Sequence, residues 1–218
     1  MFIVIDGMNG AGKTSVMLEL ETIYRDHKDI VFTEDPGGTS LGMELKRMMS
    51  DRANMSPYTR LHMHCAARQE LCERIIQPAI NENKLVICDR YYSSNFVYQG
   101  KAAGIYHGLV QQAVFSTNPI RPNLFIILDV HSEMAIQRIN KRGQLGERGI
   151  PQKQHIAADV NPNLSYFKRV RKGFKQFAKL ENANGGQALI INAGFPLSSV
   201  VKTIQAAIEP FVDQMTKK

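Results

Sequence analysis

Residues 1–15 of the chain read MFIVIDGMNGAGKTS. Residues 2–5 form a short apolar, mostly β-branched run that ends at an aspartate and a glycine, which predicts a buried parallel strand. Because the next motif lies between this strand and a predicted helix, we expect its backbone N–H groups and the helix N-terminus to bind a nucleoside triphosphate. The motif fits the phosphate-loop pattern G-x-x-x-x-G-K-[ST] and consists of Gly7, Met8, Asn9, Gly10, Ala11, Gly12, Lys13 and Thr14.

Four side chains in and near this loop are expected to carry the chemistry. Lys13 is predicted to bridge the β- and γ-phosphates, and Thr14 to bind Mg²⁺. Asp89 and Arg90 follow a later apolar run, and ligands gather where parallel strands end. A carboxylate there can hold a magnesium-bound water, and an arginine can bind a second phosphate. We therefore predict a metal site at Thr14 and Asp89 and a phosphate ligand at Arg90; the alternative for Asp89 and Arg90 is a surface ion pair.

The rest of the chain repeats the alternation of strand and helix. Short apolar runs occur at residues 30–32, 85–88, 124–128 and 188–191, with helical patterns between them. Such alternation predicts an α/β protein with the P-loop NTPase fold, in which a five-stranded parallel sheet has helices on both faces. Residues 143–162 carry glycines, prolines and charges without an apolar period. We predict one domain over residues 1–218, with these residues as a mobile lid.

Composition limits the cellular setting. The 218 residues have a net charge of +7, which favours acidic partners such as nucleotides or nucleic acid. The three cysteines, Cys65, Cys72 and Cys88, do not suggest a disulfide framework and predict a reducing compartment. The apolar run at the N-terminus is too short for a signal peptide or a membrane span. We therefore expect a cytoplasmic protein without a membrane partner.

Several motifs in a fixed order carry a resemblance to a known family. After the phosphate loop come Asp35-Pro36-Gly37-Gly38-Thr39, then Ala66-Ala67-Arg68, and then Asp89-Arg90-Tyr91 followed by Ser94 and Tyr98-Gln99-Gly100. Together they resemble the thymidylate kinase family of P-loop nucleoside monophosphate kinases over nearly the whole chain. The resemblance implies transfer of the ATP γ-phosphoryl group to dTMP, giving dTDP, with Mg²⁺ as cofactor. It also implies a homodimer formed through long helices, to which we expect Met48, Met49 and Met63 to contribute.

The same resemblance implies a nucleotide-binding set for the acceptor. In it, Arg68 would donate to a pyrimidine carbonyl, and Tyr98 would crowd the place of a ribose 2′-OH. Two residues depart from the family: His64 stands where a stacking Phe is usual, and Asn9 stands where an acidic residue is usual. These departures leave open a kinase for another deoxynucleoside monophosphate, such as dUMP or a modified dUMP. The full set is Asn9, Asp35, His64, Arg68, Arg90, Ser94, Asn95, Tyr98 and Gln99.

A basic run at residues 168–172 raises a different hypothesis, a nucleic-acid-stimulated P-loop ATPase. Phe167, Val170, Phe174 and Phe177 recur at helical spacing through this region, so one helix face is expected to pack inward. The basic side chains then form a mostly solvated face, and we predict no stable nucleic-acid partner. A third alternative, a non-catalytic nucleotide sensor, is expected to lack the lid arginines that this chain has.

Phosphoryl transfer spreads negative charge over the transferred group, so a positioned cation is needed. Some thymidylate kinases have an arginine within the phosphate loop and others use the lid, and here the loop position is Gly10. Arg142 and Arg148 lie where the predicted lid begins. We therefore predict Lys13, Arg90, Arg142 and Arg148 as the catalytic cations.

The Arg148→Ala substitution tests this role for the lid. We expect it to lower kcat by about 100-fold or more with little change in the affinity for ATP, because the cation acts mainly in the transition state. Steady-state kinetics together with ATP titration would measure both quantities. An unchanged kcat would reject the assignment.

Overall fold

The computed structural model describes residues 1–52, 54–145 and 163–216, and its centre is a five-stranded parallel sheet in the order β2-β3-β1-β4-β5. The α/β fold and the sheet predicted from the apolar runs are therefore confirmed. All neighbouring strands pair in parallel. The strands are β1 (Phe2–Gly7), β2 (Ile30–Glu34), β3 (Leu85–Asp89), β4 (Leu124–Asp129) and β5 (Ala188–Asn192).

Strand register brings two of the predicted motifs side by side. In the ladder between β1 and β3, Ile5 is paired with Asp89. The Arg90 N–H donates to the carbonyl of Ile5 at 3.0 Å. Since parallel strands end at one edge of a sheet, the phosphate loop that follows β1 lies beside the Asp89-Arg90 pair that follows β3.

Helices pack against the sheet. The sequence from residue 57 to about residue 83 predicts one long helix with a kink at Pro78. The structure has a helical stretch from Pro57 to Asn81, in which a π-helical turn at Cys72–Ile76 precedes Pro78, which lacks a backbone donor. A second π-helical segment, Phe96–Ala102, continues α5. The helices are α1 (Lys13–Ile23), α2 (Ser40–Asp51), α3 (Pro57–Leu71), α4 (Gln77–Asn81), α5 (Tyr92–Asn95), α6 (His107–Phe115), α7 (Ser132–Leu145), α8 (Leu164–Ala183) and α9 (Leu197–Thr216).

Helix α8 has the amphipathic character that its sequence predicts. Its aromatic and aliphatic positions Phe167, Val170, Phe174 and Phe177 are all buried in the core. Lys168, Arg169 and Lys172 are exposed. Arg171 differs from them, because its Nε donates to Asp129 Oδ1 at 2.6 Å. The basic run is thus a solvated face with one residue that fixes α8 to the end of β4.

The burial of the methionines and cysteines tests further predictions. Met48 is exposed on α2, but Met49 is buried within the chain, so the inclusion of Met49 in an intermolecular surface is wrong. Cys65, Cys72 and Cys88 are all buried free thiols. Among the described residues, no helix is both long enough and apolar enough to cross a membrane.

Candidate functional site

The phosphate loop has the backbone conformation that its glycines predict. Gly10 has φ of 83° and Gly12 has φ of 97°, in the left-handed region that favours glycine. A Cβ atom at Gly10 would lie 2.5 Å from the carbonyl oxygen of Ala135 on α7. Gly12 directly precedes α1, so the end of the loop is also the N-terminus of that helix.

Lys13 folds back over the loop. Its Nζ donates to the carbonyl of Gly7 at 2.7 Å and to that of Met8 at 3.1 Å. Burial, assisted by the nearby charge of Arg90, lowers the pKa of Lys13 from 10.5 to about 7. The amine is therefore only partly protonated near neutral pH, and an anion in the loop would favour its charged form.

Asp6 is a site residue that the sequence reasoning did not select. Its side chain is fully buried and accepts hydrogen bonds from Ser93 Oγ at 2.5 Å and from Ser94 Oγ at 2.9 Å. It also accepts from the N–H of Gly7 at 2.7 Å. Asp6 thus ties the start of the phosphate loop to α5. Its position near the end of a predicted buried strand is the sequence feature that could have identified it.

The residues predicted for a metal fit a divalent cation in their donor chemistry. Asp89 Oδ1 is buried and has no hydrogen-bond partner among the described residues. Burial raises the pKa of Asp89, and the charge of Lys13 opposes that rise. Thr14 is exposed at the start of α1. Hard oxygen donors of this kind suit Mg²⁺ when phosphate oxygens complete its coordination.

Arg90 joins the phosphate loop to the neighbouring cavity. Its backbone is in the left-handed region, with φ of 69°, and its Nη2 donates to Asn9 Oδ1 at 2.7 Å. The guanidinium lies over the ring of Tyr98, 5.9 Å from the centroid. The Tyr98 hydroxyl accepts from the N–H of Asn9 at 3.2 Å. Although burial would lower the pKa of Arg90, Tyr98 and the acidic residues nearby raise it, so the cation is permanent.

A buried polar network forms the inner end of that cavity. Arg68 Nε donates to Asp35 Oδ2 at 2.8 Å, and both side chains are almost completely buried. Arg68 Nη2 donates to Asn95 Oδ1, and Asn95 Nδ2 donates to Gln99 Oε1 at 3.0 Å. Burial would lower the pKa of Arg68, but the Asp35 carboxylate raises it, so the guanidinium stays charged. Burial raises the pKa of Asp35, and the charge of Arg68 opposes that rise. Arg68 Nη1 is buried with no partner within the described part of the chain.

The cavity itself has a volume of about 470 Å³. Every residue of the predicted acceptor set lies in its wall, so the structure brings that set together. Sequence reasoning did not select Arg60, Ser50 and Tyr166, which also line it. Arg60 is held by its Nη1, which donates to the carbonyl of Met49 at 2.9 Å. These three residues lie on α2, α3 and α8 in segments without a motif, and only the fold brings them to one cavity.

His64 is a neutral side chain in this wall. Burial lowers its pKa from 6.5 to about 3, and the guanidinium groups of Arg68, Arg60 and Arg90 add to the effect. The imidazole therefore offers one hydrogen-bond donor and one acceptor throughout the physiological pH range.

The structure describes one of the two predicted lid arginines. Arg142 is exposed near the end of α7, and its charge contributes to the lowered pKa of Lys13, so it lies within electrostatic reach of the loop. Arg148 lies outside the described residues, as do residues 146–162 of the predicted lid. Its role stays a prediction.

Comparison with known proteins gives a consistent result. A model of the family described as thymidylate kinase matches residues 5–204. A thymidylate kinase of Desulfosudis oleivorans is 32% identical over 220 residues, covering 98% of each chain. One of Symbiobacterium thermophilum is 33% identical over 213 residues, or 96% of this chain and 92% of that protein. The crystal structure of thymidylate kinase from Ehrlichia chaffeensis has the same fold, with a TM-score of 0.72 at 24% identity over 96% of this chain and 98% of that chain.

The lowered pKa of Lys13 predicts that ATP binding is linked to proton uptake. The free amine has a pKa of about 7, and phosphate charge beside it raises that pKa, so binding at pH 8 should take up close to one proton at Lys13. Affinity should fall as pH rises above 7. Calorimetric titration with ATP in two buffers of different ionisation enthalpy measures the uptake. The Lys13→Arg variant is the control, because its guanidinium does not titrate; equal uptake in both proteins would contradict the assignment.

His64 predicts a loss of folding stability in acid. Its folded-state pKa is depressed to about 3, whereas the unfolded chain binds a proton near pH 6.5. The free energy of unfolding is therefore highest above pH 6.5 and falls as pH drops through the window down to about 3. At pH 5 the loss is about 2 kcal/mol relative to pH 8, from about 1.4 kcal/mol per pH unit.

Urea unfolding at pH 8 and pH 5 measures this effect as the difference between the parent chain and the His64→Gln variant. The variant should gain about 2 kcal/mol relative to the parent on going to pH 5. His62→Gln, which changes an exposed histidine on the same helix, controls for removal of a histidine in general. A pH-independent difference between parent and His64→Gln would contradict the prediction.

Proposed function

This chain belongs to the thymidylate kinase family, and we propose that it transfers the γ-phosphoryl group of ATP to dTMP, giving ADP and dTDP. The observation that carries the proposal is the hydrogen bond from Arg90 Nη2 to Asn9 Oδ1. It places a permanent cation of the acceptor cavity directly against the phosphate loop. Two phosphorylated ligands, one in the loop and one in the cavity, would therefore meet end to end at this point.

The proposed reaction is a direct in-line displacement. An oxygen of the acceptor phosphate attacks the γ-phosphorus, the bond from that phosphorus to the bridging oxygen breaks, and ADP leaves with the electron pair. No covalent intermediate on the protein is needed. Lys13 would neutralise the β- and γ-phosphates, and Arg90 would hold the acceptor phosphate in line. Arg142 and Arg148 would stabilise the charge that spreads over the transferred group.

We assign Thr14 and Asp89 to Mg²⁺. The unpartnered, buried Oδ1 of Asp89 and the position of Thr14 at the start of α1 support this assignment. When bound, the cation supplies charge neutralisation at the phosphate oxygens. The contribution of the chain is to hold the two oxygen donors at the edge of the sheet, next to Lys13.

The base and sugar would occupy the cavity beyond Arg90. Arg68 Nη1, which has no partner among the described residues, is available to donate to a pyrimidine carbonyl. The fixed ion pair with Asp35 keeps the guanidinium in place. Gln99 and Asn95 would bond to the base edge, and Tyr98, held by its contact with Asn9, would exclude a 2′-hydroxyl. Ser94 would support the site through its hydrogen bond to Asp6.

The remaining features of the proposal concern the whole molecule. We propose a single kinase domain in which residues 143–162 form a lid that excludes water during transfer. We also propose a cytoplasmic homodimer, and the exposed apolar side chains of Met43 and Met48 on α2 and of Leu109 on α6 support such an interface.

An acceptor panel tests the reaction. With ATP and Mg²⁺, we expect dTMP to be phosphorylated with kcat/KM at least about tenfold above that of dCMP or dGMP, because one misplaced base contact costs that much. Product dTDP and ADP would be followed by chromatography. If dTMP were among the slowest acceptors, the substrate assignment would be wrong.

The same assay distinguishes the proposed kinase from the alternative, a nucleic-acid-stimulated ATPase. A nucleic-acid-stimulated ATPase would release inorganic phosphate faster when DNA is added, and its DNA binding would weaken steeply with salt. We expect DNA to have no effect on turnover. DNA-stimulated hydrolysis without transfer to any nucleotide would replace the proposed function.

A further inference from the structure

The base end of the acceptor cavity holds a polar side chain whose hydrogen-bonding atoms are unused. His64 lines the cavity, and within the described ranges its ring nitrogens make no hydrogen bond. Because the imidazole is neutral, it presents one donor and one acceptor rather than a charge. An unused donor and acceptor in the cavity wall favour a ligand that supplies both partners.

The surroundings of His64 are also polar. Lys46, Ser50 and Arg60 line the same cavity. The side chain of Lys46 is held at 2.7 Å from Glu34, and Ser50 Oγ donates to the carbonyl of Lys46 at 2.9 Å. Three guanidinium groups lie close enough to His64 to disfavour its protonation. An oxygen-bearing substituent suits such a positive environment better than a methyl group does.

The spacing on α3 indicates which part of a base His64 would meet. His64 and Arg68 are four residues apart and lie on one helix face, about 6 Å apart along the axis. In the proposed function Arg68 Nη1 binds a ring carbonyl. In the proposed pose Arg68 binds the 4-carbonyl of a uracil ring, and the neighbouring C5 carries its substituent into the cavity that His64 lines.

We propose that the cavity selects pyrimidine deoxynucleotides that carry a hydroxyl-bearing substituent at C5, and that His64 is the residue that recognises this group. The inference rests on the proposed function and specifies its substrate class. A C5 hydroxymethyl group can both accept from the imidazole N–H and donate to the other ring nitrogen. The methyl group of thymine fills the same space but offers neither a donor nor an acceptor to the two nitrogens of His64.

The test compares dTMP with 5-hydroxymethyl-dUMP as acceptors. For the parent chain we expect kcat/KM for 5-hydroxymethyl-dUMP to exceed that for dTMP by about tenfold, the effect of one satisfied hydrogen bond. His64→Phe should remove or reverse this preference, measured as the ratio of the two kcat/KM values. His64→Gln, which keeps a donor and an acceptor, should retain the preference.

The control is His62→Phe, which makes the same chemical change at an exposed position on α3 outside the cavity and should leave the preference as in the parent. A parent chain that prefers dTMP or treats both nucleotides alike overturns the inference, whatever the variants do, and leaves the proposed function intact. An equal preference in the parent and His64→Phe also overturns it. If the parent phosphorylates neither nucleotide, the proposed function itself fails.

Discussion

The structure depends on balancing the charges that it buries at one edge of its sheet. Asp6, Lys13, Asp35 and Arg68 are each at most 5% exposed, and such burial is costly unless each charge has partners. Here the partners come from distant parts of the chain: Ser93 and Ser94 donate to Asp6, and Arg68 donates to Asp35. Satisfying these groups links the end of β1 to α5 and the end of β2 to α3. The site therefore has these internal contacts without a ligand.

Much of this arrangement follows from local sequence. The apolar runs predict all five strands, and the glycines at positions 10 and 12 predict left-handed backbone that the structure has. Thr39 follows the turn at Gly37-Gly38, a position typical of a helix cap, and its hydroxyl accepts from the N–H of Gly42 at 3.0 Å. These features depend on neighbours in the chain, which is why a single sequence suffices to predict them.

Features that depend on distant contacts could not be predicted in the same way. Asp6 is 87 residues from Ser93, and no pattern in either segment connects them. The same applies to His64: its pKa is lowered first by burial in the fold and then by the guanidinium groups around it. The two π-helical segments could not be predicted from helical periodicity either. One inserted residue shifts the helix face without changing its composition. Met49 was assigned to the wrong surface for a related reason, since its neighbour Met48 is exposed and the sequence gives no means to separate them.

The close packing of Gly10 against α7 restricts how the protein can supply charge to a transferred phosphoryl group. Any side chain at position 10 would begin with a Cβ atom 2.5 Å from the Ala135 carbonyl, on a backbone with φ of 83° that disfavours non-glycine residues. An arginine is therefore sterically barred from this point of the loop while α7 keeps its place. A cation for the transferred group must therefore come from outside the loop, for example from Arg142 on α7. The geometry of a single glycine thus restricts where along the chain the catalytic arginines can change over evolution.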